Sequence, residues 1–199
     1  MMCSESIRNL RLKLKPGQES RLFPIFQQGV YLKTLAGLPL ARVLEEAGFS
    51  RKYLEEKVQT VFLDGSAVDD LDRAIVKDGC VIALSAAMPG LAGAILRKGS
   101  PISALRSRTS AEMGPHCTEE AILKLKLFNT IAKEMGPELL NSGILLKGSD
   151  LEDFFSNRDE LLQEAVMEAE LDRAPVSLAG LLDGKSIRSN YVVLQIMKS

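Results

Sequence analysis

Apolar and polar residues alternate over Leu10-Arg11-Leu12-Lys13-Leu14-Lys15, and Ile7 extends the apolar set toward the N-terminus. This period-two pattern predicts a half-buried strand. Pro16-Gly17 ends it as a turn, and Gly29 to Leu35 predicts a second strand. Gly37 and Pro39 then break the chain. Leu40, Val43, Leu44 and Ala47 recur at helical spacing, and Gly48 closes that helix. Ser50 reads as the cap of a short helix over 51–57 that turns Tyr53 and Leu54 inward. Val58 to Leu63 predicts a third strand, ended by Asp64-Gly65. Ile75-Val76, the turn Asp78-Gly79 and the strand Val81 to Leu84 complete the first half. The order is β–β–α–β–(β)–β, in which a helix between strands packs across one sheet face. Leu12, Leu14, Val30, Leu32, Leu44, Val61, Leu63, Val81, Ile82 and Leu84 are expected to form much of one core.

Residues 97–117 break the pattern. Arg97-Lys98-Gly99-Ser100-Pro101, Arg106 to Ser110 and Gly114-Pro115 are polar and rich in Gly, Pro and Ser, the composition of a linker. Beyond it, Ile122 to Phe128 reads as an alternating strand or the start of a helix. Asn129 to Leu140 has helical spacing that Gly136-Pro137 would shorten. Gly143 to Lys147 is strand-like. Ser149 with Glu152 forms a capping-box pattern, and the helical period runs from Leu151 to Ala169. Asp183-Gly184 is a turn signal, and Tyr191 to Met197 a final strand. The organisation expected is therefore a domain over 1–96, a linker over 97–117 and a second small α+β domain over 118–199.

The halves echo each other. Leu12-Lys13-Leu14 matches Leu125-Lys126-Leu127, Gly29 to Lys33 matches Gly143 to Lys147, and Leu63-Asp64-Gly65 matches Leu182-Asp183-Gly184. The anchors keep their order. Two readings stand at this point: a diverged structural repeat, or chance recurrence of Leu/Lys alternation and Asp-Gly turns, both of which are common.

Composition narrows the function classes. Hydrophobic residues make up 46% of the 199, as in a globular chain. The 25 basic and 26 acidic side chains nearly cancel, and aromatics are 5% with no Trp. A nucleic-acid partner would call for a basic footprint or stacking platforms, so none is expected. The longest uncharged run, Cys80 to Leu96, is broken by Met88-Pro89-Gly90 and falls short of a membrane span. No membrane partner and no signal peptide are expected. Cys3, Cys80 and Cys117 form no Cys-x-x-Cys pair, which fits a reducing, cytoplasmic setting.

Chemistry-bearing clusters are few. His116 is the single histidine, and beside Cys117 it could suggest a metal or nucleophile pair. Thr118-Glu119-Glu120 after it reads more simply as a helix N-cap. Asp69, Asp70 and Asp72 lack the spacing and distal Glu of a calcium loop and read as turn carboxylates. Cys80 sits in an apolar strand as a buried thiol. Glu45-Glu46 and Glu55-Glu56 read as solvated helix faces. No catalytic residue, cofactor or metal site is expected.

The stretch Gln59-Thr60-Val61-Phe62-Leu63-Asp64-Gly65-Ser66, with Val76-Lys77-Asp78-Gly79-Cys80-Val81-Ile82-Ala83-Leu84, resembles the β-grasp (ubiquitin-like) sulfur carriers of molybdopterin and thiamine biosynthesis. The resemblance covers about residues 10–94 and implies an α+β fold with an N-terminal β-grasp domain. In that family the last strand runs into a Gly-Gly tail whose terminal carboxylate is adenylated and thiolated. Here it runs into Pro89, Gly90, Gly93 and Ala94, the candidate tail equivalents, with Ala94 in place of the terminal Gly and further chain beyond it. Three functions follow as expectations. The first is a non-catalytic scaffold that docks a protein partner. The others are a carrier precursor cleaved near Gly93-Ala94, and an enzyme with an interdomain site.

Overall fold

The computed structural model describes residues 7–86, 119–182, 187 and 189–197. Its elements in chain order are β1 (Ile7–Leu14), a 3-10 turn (Glu19–Leu22), α1 (Pro24–Gln28), β2 (Val30–Leu35), α2 (Leu40–Glu46), α3 (Arg51–Glu56), β3 (Thr60–Leu63), β4 (Ser66–Ala67) and β5 (Val81–Ser85). The second half contributes β6 (Glu120–Phe128), α4 (Thr130–Ser142), β7 (Ile144–Lys147), α5 (Gly148–Ser156), α6 (Asp159–Ala165), β8 (Val166–Leu171), β9 (Ala174–Pro175), α7 (Leu178–Leu182) and β10 (Tyr191–Ile196). Strands pair both parallel and antiparallel beside packed helices, so the chain is α+β with mixed sheet.

Packing divides the chain into two compact units, and they are not sequential halves. One joins Met1–Val30 to Met135–Ser199; the other is Tyr31–Glu134. The boundary therefore does not fall at the linker over 97–117, which lies, together with residues 87–96 and 118, outside the described residues. The reason is strand pairing. β1 hydrogen-bonds to strands near the C-terminus, and β6 to strands of the first half.

In the discontinuous unit the strand order is β7-β10-β1-β8-β9. β1 runs parallel to β10, with Leu10 opposite Leu194 and Leu12 opposite Ile196. It runs antiparallel to β8, with Leu10 opposite Leu171 and Leu12 opposite Ala169. The alternation of β1 puts Leu10, Leu12 and Leu14 on the buried face with Val166, Ala169, Leu171, Leu194 and Ile196. Helices α5 to α7 add Leu151, Phe154, Phe155, Leu162 and Leu181 to the same core, with the two Phe rings edge-on at 5.8 Å. Each such side chain contributes about 1.5–3 kcal/mol on burial.

Three local expectations change here. Helix α4 runs through Gly136-Pro137 to Ser142 instead of stopping. A Cβ at Gly136 would lie 2.9 Å from Phe23 Cε1, so glycine is what permits this close approach. Ser149 is not a cap: α5 begins at Gly148 with Lys147 at the N-cap position and no side-chain cap bond. Gly148 packs directly on the backbone of Ile187 and Ser189, so packing sets the start of this helix. The helical period ends at Ala165, and Val166 to Leu171 is strand β8 because it pairs with β1. Tertiary pairing overrides the periodic pattern there.

In Tyr31–Glu134 the order is β4-β3-β5-β6-β2. β5 and β6 are parallel, and β3 is antiparallel to β5. Helices α2 and α3 add Leu40, Val43, Leu44 and Leu54 to a core with Val61, Ile82, Leu84, Leu123, Leu125 and Leu127. Ser50 caps α3 as expected, its Oγ accepting from Tyr53 N–H at 3.2 Å. Asp64 and Gly65 both take positive φ, 50° and 78°, in the two-residue turn between β3 and β4.

The expected single core is thus two. Leu12, Leu14 and Val30 belong to the discontinuous unit, and Leu44, Val61, Ile82 and Leu84 to the other, while Leu32, Leu63 and Val81 are half-buried.

Candidate functional site

Pro89, Gly90, Gly93 and Ala94 lie outside the described residues, as do Cys3, His116 and Cys117. The other singled-out residues have structural partners. Asp70 accepts from the N–H groups of Asp72 and Arg73, closing a turn on itself. Asp72 takes both of its oxygens to Arg51 at 2.6 and 2.8 Å, and this pairing raises the Arg51 pKa above its ordinary value. Glu46 pairs with Arg42 at 2.7 Å, one turn apart on α2. Cys80 is buried, and burial pushes its thiol pKa up despite the Lys77 N–H that Sγ accepts at 3.0 Å. The thiol is buried, as expected.

No grouping of three or more His, Cys, Asp or Glu side chains suited to a metal ion occurs among the described residues. Concavities exist in each unit. One of about 280 Å³ lies by Phe23, Pro137 and Met197. Another, of about 450 Å³, is lined by Leu38, Pro39 and Arg42 with Thr34, whose Oγ1 is buried without a hydrogen-bond partner.

The surfaces that remain are the sheet faces turned away from the buried leucines, and they differ between the units. In the discontinuous unit the β1–β8 pair is matched in charge. Lys13 sits opposite Glu168 and Arg11 opposite Glu170 in the β1–β8 register, at 2.7 and 3.3 Å. Arg8, at the start of β1 on the leucine side by alternation, pairs with Asp172 at 2.7 Å. Exposed pairs of this kind are worth about 0–1 kcal/mol each, so their chief effect is to place each of these charges beside its opposite.

In Tyr31–Glu134 the corresponding face is apolar and cationic. Phe62 is opposite Ala83, and Ala83 is level with Lys126 across the parallel pair. Val81 is level with Lys124, whose ammonium lies 5.3 Å from the centre of the Tyr31 ring. Alternation places Lys33 beside Tyr31 on the same side of β2, and Ile122 between Glu120 and Lys124 on β6. Phe62, Val81, Ala83, Ile122 and Lys126 are half-exposed, and Lys33 is exposed. Lys33 and Lys126 have no bonded partner among the described residues. The residues of this row were visible in the sequence as the second set of each alternation. What brings them together is the pairing of β3, β5 and β6.

No helix among the described residues is long and apolar enough to cross a membrane. No family model, curated protein or solved structure matches this chain.

Proposed function

We propose that this chain is a non-catalytic binding or scaffold protein of the β-grasp kind, which docks a protein partner on the open sheet face of Tyr31–Glu134. The observation that carries the reading is the row Phe62–Ala83–Lys126, apolar side chains and a cation with no bonded partner among the described residues, held half-exposed on a regular sheet. A patch of this composition on a rigid support suits recognition better than chemistry, because no acid–base pair converges on it among the described residues.

The fold supports the β-grasp part of the reading. Each unit centres on a parallel strand pair, flanked on both sides by further strands, with helices between the outer strands. The turn geometry supports a duplication. Asp64-Gly65 joins β3 to β4, and Asp172-Arg173 joins β8 to β9, each pair with positive φ. The preceding residue is leucine in both turns, Leu63 and Leu171. This aligns Leu63-Asp64-Gly65 with Leu171-Asp172-Arg173 in place of Leu182-Asp183-Gly184, whose last two residues lie outside the described set.

Two measurements test the proposal. Photo-crosslinkers placed at Phe62 and Lys126 should capture a protein from the native host that a crosslinker at Glu170 does not. Equal capture from all three positions would remove the assignment to this face. Intact mass of the native protein tests the carrier alternative: a fragment ending at Gly93 or Ala94 with sulfur in place of oxygen would replace the scaffold reading.

A further inference from the structure

We infer that the two halves of the chain hold each other without their covalent link, so that cleavage between β5 and β6 leaves one two-chain complex with both units intact. The carrying observation is the origin of each unit's central strand pair. In Tyr31–Glu134 the parallel pair is β5, from before residues 97–117, and β6, from after them. In the discontinuous unit it is β1, from before, and β10, from after. The other strands of Tyr31–Glu134 are β2, β3 and β4, and those of the discontinuous unit are β7, β8 and β9. Each half therefore gives one central strand to the unit that the other half otherwise builds.

Neither half closes its own sheet. Without β6, one side of β5 is left unpaired, and the core of Tyr31–Glu134 loses Leu123, Leu125 and Leu127, all fully buried. Without β1, β8 and β10 lose the strand that lies between them, and their core loses Leu10, Leu12 and Leu14. Unpaired strand edges recruit new partners, and each uncovered leucine costs about 1.5–3 kcal/mol. Parting the halves opens both units at once, whereas cutting the connection breaks none of these ladders. The row Phe62–Ala83–Lys126 takes two residues from the first half and one from the second, so it survives a cut and is lost on separation. Cleavage of the chain between the halves thus creates new termini and releases neither half.

The test uses the full chain with a recognition site for a sequence-specific protease inserted within residues 97–117. After complete cutting, the two pieces should run apart on a denaturing gel yet elute together in native buffer, with a native mass equal to their sum. Isotope-labelled and unlabelled cut protein, mixed, should form no hybrid pairs until urea passes the unfolding midpoint, because a half leaves only when both units open. Pieces that part in native buffer, or hybrids that form within minutes without denaturant, would overturn the inference. Where the insertion itself unfolds the chain, halves 1–104 and 105–199 co-expressed as separate chains decide the matter. Recovery of both through a tag on one supports mutual closure, and recovery of the tagged half alone, folded, overturns it.

Discussion

Asp172 Oδ1 accepts the backbone N–H of Asn9 at 2.8 Å, tying the β8–β9 turn to a strand 163 residues earlier in the chain. Asp64 Oδ1 does the same for Val81 N–H, also at 2.8 Å, in the other unit. Each turn aspartate braces the strand beside its hairpin, whichever half of the chain supplies that strand.

The Asn9 N–H, and after it the Arg8 guanidinium, hold the Asp172 carboxyl below its ordinary pKa. A carboxyl with a depressed folded-state pKa contributes stability that is present above its unfolded value and lost as pH falls through the folded one. Asp172→Asn keeps an acceptor and tolerates positive φ, so it should flatten this acid limb of the stability profile with little change in fold. Asp172→Ala loses the acceptor and places a Cβ residue at φ 51° with no side-chain compensation, at a cost of about 1–3 kcal/mol. Denaturant melts from pH 7 to pH 3 check both; an unchanged acid limb in the Asn variant would show that the brace is not titrating.

Leu12 is fully buried between β10 and β8, whereas Leu63 is half-exposed at the end of β3. Leu12→Ala should cost about 2–5 kcal/mol, and Leu63→Ala clearly less. Equal losses in urea melts would contradict the assigned faces.

A fragment spanning residues 118–199 lacks β1, and β1 lies between β10 and β8 with bonds on both sides. Without it those strands expose two unpaired ladders and the apolar face that Leu10, Leu12 and Leu14 cover. The fragment alone should lack a cooperative thermal transition, and adding a peptide of residues 7–30 should restore one. Cooperative melting of the fragment by itself would mean the second half closes without β1.

Gly136→Ala sets two effects against each other. Alanine improves helix propensity by about 1 kcal/mol, but its Cβ would meet Phe23 at 2.9 Å and Phe26 at 3.2 Å. Overpacking costs about 1–3 kcal/mol, so the variant should be destabilised on balance. A raised melting temperature would show that the Phe23 ring turns aside freely.

Tyr53 Oη donates to Glu134 Oε2 at 2.7 Å, joining α3 to the first turns of α4. Burial, then this bond, raises the phenol pKa well above its usual value. The stability it carries is present below the unfolded tyrosine pKa and is lost as pH rises toward the folded one. Tyr53→Phe should cost about 0.5–1.5 kcal/mol at neutral pH and show a shallower alkaline decline. Parallel profiles for variant and wild type above pH 10 would argue against the bond.

Much of the secondary structure was determined by the sequence alone, since alternation and turn residues act over a few positions. Leu10 to Leu14, the Asp64-Gly65 turn, the Ser50 cap and the last strand from Tyr191 all stand where local periodicity puts them. Where local signals compete, packing decided. Gly136 keeps α4 whole by fitting under Phe23, and Val166 to Leu171 leaves its helical period to pair with β1. Partnership between strands was decided only in three dimensions. The alternation of β1 says that one face is buried, yet any apolar strand could cover it, and the pairing chosen joins residues more than 150 positions apart. The candidate docking face has the same origin. Phe62, Ala83 and Lys126 are each legible as the outward residue of a strand, but nothing local puts them in one row. Hydrogen-bond ladders between distant segments do that, because backbone pairing and the burial of the opposite leucines are satisfied together in a single register.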